Sequence, residues 1–187
     1  RGRHALDSGP GPRLLLPAAR FVLMSVTVRE ATSADLEAIL DVAEAAWYAA
    51  YGATLDPSTI AAALGEYYDP ELVEGAIEHE AIVFHVAEID GEVVGFASAE
   101  QTWADEVELH AIYVHPDRWG NGIGSAVLDL VVSWGRDQDV DRIACGVLAD
   151  NAVGIGFFEA VGFTRGAESE AEIVDASRTE HEYELEL

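Results

Sequence analysis

The stretch that decides the fold is Glu108–Leu128, ELHAIYVHPDRWGNGIGSAVL. The run from Glu106 to Val114 reads as a strand, and Pro116 stops it, because proline cannot continue a β-ladder. From Ser125 to Arg136 the pattern becomes helical and strongly apolar. Only Asp129, Ser133 and Arg136 form a polar stripe, as expected of a mostly buried helix. Between strand and helix the glycines alternate at Gly120, Gly122 and Gly124. A strand, a glycine turn and a helix make a phosphate-binding arrangement. The backbone can approach closely, and the first unpaired N–H groups of the helix point at an anion.

The kind of phosphate site can be narrowed. A P-loop needs a lysine before its Ser or Thr, and all ten basic residues of this chain are arginine. A dinucleotide fingerprint, G-x-G-x-x-G, fails from Gly120, where its third glycine would be Ser125, and from Gly122, where it would be Val127. It also belongs early in a Rossmann unit, whereas this loop follows roughly the fourth strand. A tight turn with no ligand stays open at this point.

Outward from the loop, Val26–Arg29 reads as a first strand. Thr32 caps a helix whose Leu36, Ile39, Leu40, Ala43, Trp47 and Ala50 share one face, while Asp35, Glu37, Asp41 and Glu44 point elsewhere. A second helical region runs from about Ser58 to Glu80, interrupted near Asp69-Pro70. AIVFHVAEI, then Asp90-Gly91, then EVVGFASAE is a β-hairpin with its turn signal in the middle. RIACGVL (142–148) carries few charges and suits the interior of a sheet. Val153–Val161 is a short helix. The closing EHEYELEL places His181, Tyr183, Leu185 and Leu187 on one face and glutamates on the other. There is no internal repeat, and the reading is one α/β domain.

Charge is the unusual feature: 35 acidic residues against 10 basic ones, a formal −25. Such a field keeps a protein soluble at the cost of self-repulsion, and nucleic acid is not an expected partner. The composition resembles that of salt-accumulating haloarchaea; a plainly acidic protein is the alternative. The one cysteine, Cys145, rules out an internal disulfide and is compatible with a reducing cytoplasm. No segment is long enough to span a membrane. Residues 1–23 hold four of the ten arginines and three of the six prolines, then comes Met24, the only methionine. The expectation is an N-terminal extension over 1–23, outside the fold, and a domain over 24–187.

Two segments together carry a resemblance. ELHAIYVHPDRWGNGIGSAVL resembles motif A of the GNAT superfamily of N-acetyltransferases, Q/R-x-x-G-x-G/A after a strand end. LADNAVGIGFFEAVGF (148–163) resembles that family's N-x-x-A/G-I-x-F-Y-E-x-x-G-F segment, and AEIDGEVVGFA and VREATSADLEAI fall in the family's order. The resemblance covers about residues 26–187. It implies an α/β (α+β) fold: a mixed, twisted sheet of about seven strands, splayed between strands 4 and 5, with helices on both faces. It implies acetyl-CoA as co-substrate. Backbone groups of Ile112, Tyr113 and Val114 would meet the pantetheine arm and polarise the thioester. Gly120, Asn121, Gly122, Ile123, Gly124 and Ser125 would cradle the pyrophosphate. Asn151 would reach the arm from the far side of the splay.

Three positions depart from the family. Phe158 stands where many members have the tyrosine that protonates the leaving thiolate. Gly146 stands where some protein-acetylating branches have a glutamate, and Trp119 replaces the Gln/Arg of motif A. Proton transfer from an amine needs a carboxylate or histidine within reach. Glu108 is the first candidate, with a solvated surface carboxylate as its ordinary role. His110, at the same strand parity, is the second, with a hydrogen-bonded core histidine as its ordinary role. Trp47 and Tyr51 are core by default, with walling of the acceptor pocket as the alternative. No metal spacing is present. The implied activity is acetyl transfer to a primary amine of a small molecule or peptide; a homodimer is compatible with it. A non-catalytic acyl-CoA-binding module and another nucleotide-binding α/β protein are the alternatives.

Overall fold

The computed structural model describes residues 25–187. The expected extension over 1–23 and the Met24 start lie outside them. Seven strands form one sheet in the order β1-β2-β3-β4-β5-β7-β6. They are β1 (Thr27–Glu30), β2 (Ile82–Ile89), β3 (Glu92–Trp103), β4 (Glu106–Val114), β5 (Arg142–Leu148), β6 (Thr164–Ile173) and β7 (Ala176–Glu186). Five helices flank it: α1 (Leu36–Tyr51), α2 (Pro57–Tyr67), α3 (Pro70–Glu78), α4 (Ile123–Asp137) and α5 (Ala152–Ala160). Among the described residues no helix is long and apolar enough to cross a membrane.

Local chemistry sets the breaks. The Asp90-Gly91 turn takes φ of 53° and 86°, the left-handed pair that a tight hairpin needs. The helical region from Ser58 to Glu80 divides because Asp69 accepts from the Glu71 N–H at 2.9 Å and caps α3, with Pro70 at its first position. Helix α4 begins at Ile123, two residues before the apolar pattern, because Gly122 at φ 76° turns the chain into it.

One helix-start residue behaves differently from its sequence pattern. Asp35 is not on the solvent stripe; it is only 7% exposed. Its carboxylate accepts from the Thr32 N–H (2.8 Å) and hydroxyl (2.9 Å), and from two Arg29 nitrogens at 2.8 Å each. The pair with Arg29 on β1 binds the first strand to the first helix.

Two packed layers cover the sheet. On one face α4 and α5 bury Ile123, Val127, Val131 and Phe158 against Val107, Leu109, Ile143, Val147 and Tyr183. On the other, α1 and α3 bury Ile39, Val42 and Val73 against Phe84, Val86 and Phe96. Each such Val or Ile contributes about 1.5–3 kcal/mol when fully buried.

All strand pairs are antiparallel except β4 and β5. That parallel pair holds only for Glu106↔Arg142, Val107↔Ile143 and Glu108↔Ala144. Beyond them the strands part. A bulge accompanies the parting: β3 Ser98 pairs with Ala111 and the next residue, Ala99, with Leu109, so His110 is the extra residue on β4.

Candidate active site

The parting of β4 and β5 opens a cavity of about 700 Å³ that runs from the glycine loop to α1. At its loop end, Gly120 and Gly122 both take positive φ, 75° and 76°, which a side chain would strain. Gly124 is different. It lies inside α4, and a Cβ there would stand 2.9 Å from the Phe157 ring, so its size lets α4 and α5 touch. The N–H groups of Ile123, Gly124 and Ser125 begin the helix and have no intrahelical acceptor; the ladder starts with the Ala126 N–H on the Gly122 carbonyl. The Asn121 amide donates to the Arg118 and Trp119 carbonyls (2.9 and 3.2 Å) and holds the loop closed.

Trp119 has a definite task here. Its indole N–H donates to the Val114 carbonyl at 2.7 Å, tying the loop back to the end of β4. The His115 N–H bonds to the Val94 carbonyl (2.8 Å). By strand alternation the main chain of Tyr113 also turns to β3, and those of Ile112 and Val114 turn toward β5. The Tyr113 ring instead joins the far end of the cavity.

That far end is aromatic. Trp47 lies 5.0 Å from Tyr51 and 6.1 Å from Tyr67 between ring centroids, and Tyr68 lies 6.0 Å from Tyr113. Trp47 is 5% exposed, and its indole N–H has no hydrogen-bond partner among the described residues. Burial raises the Tyr51, Tyr68 and Tyr113 phenols above their ordinary range, Tyr51 and Tyr68 well above it. Asn151 closes this end: its Oδ1 accepts from the Gly154 N–H (2.8 Å) and caps α5, while its Nδ2 donates to the Tyr51 hydroxyl (3.1 Å). One amide proton and one lone pair remain free for another partner.

A second cavity, about 380 Å³, adjoins the first, and both are lined by Cys145, Gly146 and Glu180. Its walls carry Glu106, Glu108, Glu180 and Glu182. Glu108 therefore lines this acidic cavity and not the larger one, and its side chain is half exposed. His110 is not a core histidine. It is exposed at the bulge, 3.6 Å from Glu100 and 3.8 Å from Glu108. Burial, then the Glu180 charge, pushes the Cys145 thiol up to about 12 and leaves it inert. Phe158 is buried against Phe163 (5.0 Å) and Tyr183 (6.2 Å), with only carbon to offer the cavity.

The structure adds Arg118 and Glu180 to the residues named from sequence, and it places Trp47 and Tyr51 with them on the wall of the large cavity. Arg118 stands directly before Trp119 and could have been weighed as a phosphate cation. Nothing in the sequence separates Glu180 from its neighbours on β7.

Comparison with known proteins agrees with this architecture. The model of the acetyltransferase (GNAT) family matches residues 36–163. An uncharacterized N-acetyltransferase of Methanocaldococcus jannaschii is 29% identical over 86 residues, which is 43% of this chain and 38% of that relative's length. The PaiA N-acetyltransferase of Thermoplasma acidophilum, crystallised in complex with coenzyme A, superposes with a TM-score of 0.74 at 24% identity, over 85% of this chain and 98% of its own. Ard1 of Thermoplasma volcanium gives 0.69 at 24% identity, over 87% and 97%. The seven-stranded sheet with its one parallel pair is the fold these structures share, and the chain belongs to the acetyltransferase (GNAT) family.

Proposed function

We propose that the protein transfers an acetyl group from acetyl-CoA to a primary amine of a small molecule or peptide. The observation that carries this reading is the parting of β4 from β5 after three residue pairs, directly beside a helix start with free N–H groups. Gly120, Asn121, Gly122, Ile123, Gly124 and Ser125 form the pyrophosphate cradle, with Arg118 as a nearby cation. Main-chain groups of Ile112 and Val114, flanked by Tyr113, meet the pantetheine arm from one strand, and Asn151 meets it from the other. Main-chain N–H groups aimed at a thioester carbonyl stabilise the oxyanion that forms when the amine attacks. Glu108 and His110 lie on the acceptor side, where negative charge favours a cationic amine.

The test is release of free thiol from acetyl-CoA against a panel of primary amines in molar KCl. Turnover with at least one amine is expected. CoA binding with no thiol released for any amine would support a non-catalytic acyl-CoA-binding module, the reading that Phe158 favours.

The acidic surface supports a second proposal, adaptation to concentrated salt, as in haloarchaea. Self-repulsion at −25 is screened by salt. Folding should then require salt, and full stability in dilute buffer would sink the idea.

A further inference from the structure

The carboxylates around the mouth of the parting are not equivalent. Glu106 accepts from Arg142 Nε at 2.7 Å, and Glu184 lies 3.7 Å from the same atom. Glu100 and Glu108 share His110 (3.6 and 3.8 Å), and Asp150 pairs with Arg178 (3.3 Å). Glu180 is half-buried on β7, and among the described residues it has neither an ion pair nor a hydrogen bond; Glu182 is unpaired as well, but it is exposed and lines the acidic cavity alone. Glu180 is also the one carboxylate that lines both cavities.

Its position explains a glycine. Gly146 does not have a positive φ, so no turn requires it. A Cβ on Gly146 would instead stand 2.5 Å from the Glu180 carboxyl carbon and 2.9 Å from Oε2. Any side chain at 146 would displace that carboxylate. Gly146 is two residues beyond Ala144, the last β5 residue paired with β4. The missing side chain thus admits a carboxylate from the next strand, β7, into the parting itself. The Glu180 charge adds to the upward shift of the Cys145 thiol on β5 after burial, and, behind burial and the Tyr113 phenol, to that of Tyr51 on α1.

We propose that Glu180, admitted by Gly146, is the general base that takes the proton from the acceptor amine, which enters as a cation through the acidic cavity. The assignment rests on the acetyl-transfer reading above. The ammonium gives one proton to the Glu180 carboxylate and becomes a free amine. Its nitrogen lone pair attacks the thioester carbonyl carbon, so a C–N bond forms and the C–S bond breaks. The second proton lost by that nitrogen leaves with the thiolate as CoA thiol. Glu180 returns its proton to solvent through the acidic cavity. Glu108, half exposed and next to His110, contributes to the field at the mouth.

The experiment follows thiol release by the full chain in molar KCl, using the best amine of the panel. A general base contributes about 100-fold or more, so E180Q should lower kcat about 100-fold and leave the KM for acetyl-CoA within about two-fold. E186Q, on the same strand but outside both cavities, should stay within two-fold. The variant E180G should lose activity, and E180G combined with G146E, which returns a carboxylate to the same space from β5, should regain at least about ten-fold. Should E180Q fail to fold, the double variant carries the test. An active wild type whose E180Q keeps its kcat overturns the base alone. So does an E108Q that loses more than E180Q, or a double variant that restores nothing. A wild type that binds CoA and releases no thiol with any amine overturns the acetyl transfer and the base together.

Discussion

The indole N–H of Trp119 donates to the Val114 carbonyl at 2.7 Å, across the turn that joins β4 to the glycine loop. The family's Gln or Arg is thus replaced by a residue that fastens the loop to the strand end. The bond is partly exposed, with Trp119 at 38%, so its loss costs about 1 kcal/mol. We expect W119F to weaken CoA binding about five-fold by titration calorimetry. Its melting temperature should move little, because the ring's apolar contacts remain.

Gly124 and Phe157 set the distance between α4 and α5. A Cβ at 124 meets ring atoms at 2.9 and 3.3 Å, which is over-packing. We expect G124A to destabilise the protein by about 1–2 kcal/mol in denaturant melts. Adding F157L removes the clashing ring edge, so the double variant should recover more than half of that loss. Additive losses would show that the two side chains do not meet. Nothing lies within 4 Å of a Cβ at Gly120 or Gly122. Alanine there acts through positive φ alone, and a second-site change in a neighbour should give no rescue.

Much of this was legible in the sequence because the local signals agreed with one another. Pro116, the Asp90-Gly91 turn and the period-two pattern of β7 each specify a short piece of backbone. The placement of the loop followed from them. Two things were not legible, for different reasons. Asp35 reads as one acid on a polar stripe; only its distance to Arg29, on a separate element, shows that it is buried. Glu180 is one of many glutamates in a chain with 35 acidic residues. Its singularity is its place on the walls of both cavities together with the empty space at Gly146, and both are properties of strands brought together from distant parts of the chain. Gly146 was visible as a departure, but a missing side chain says nothing about what fills its place.

The Arg29–Asp35 pair gives a pH dependence with a definite sign. The Arg29 guanidinium and the Thr32 donors hold the Asp35 carboxyl well below the ordinary carboxylate range, against the opposing effect of burial. A depressed carboxyl stabilises the fold above its unfolded pKa of about 3.9, and that contribution is lost as the pH falls below it. Arg29 is 38% exposed, which reduces the worth of the pair. We expect D35N to cost about 2–3 kcal/mol at pH 7, from the weakened ion pair and helix start. Urea midpoints at pH 7, 4 and 3 should show the gap between wild type and D35N narrowing only below about pH 4. A gap that is constant down to pH 3 would mean that the pair is not formed.

Asn151 joins the end of β5 to α1 and α5 at once, and its two amide atoms can be separated by substitution. Oδ1 caps α5 through the Gly154 N–H, and Nδ2 holds the Tyr51 hydroxyl. A Cβ on Gly154 would stand 2.6 Å from Nδ2, so the glycine leaves the amide its room. We expect N151A to lose both bonds and about 1–2 kcal/mol of stability. N151D keeps the cap acceptor, and the protonated Tyr51 can turn its own O–H toward the new carboxylate. Its melting temperature should therefore stay near that of the wild type. Its CoA affinity should still fall, because the free amide proton facing the cavity is gone and a negative charge stands in its place. If N151D bound CoA as tightly as the wild type, Asn151 would be a structural cap and no part of the cofactor wall.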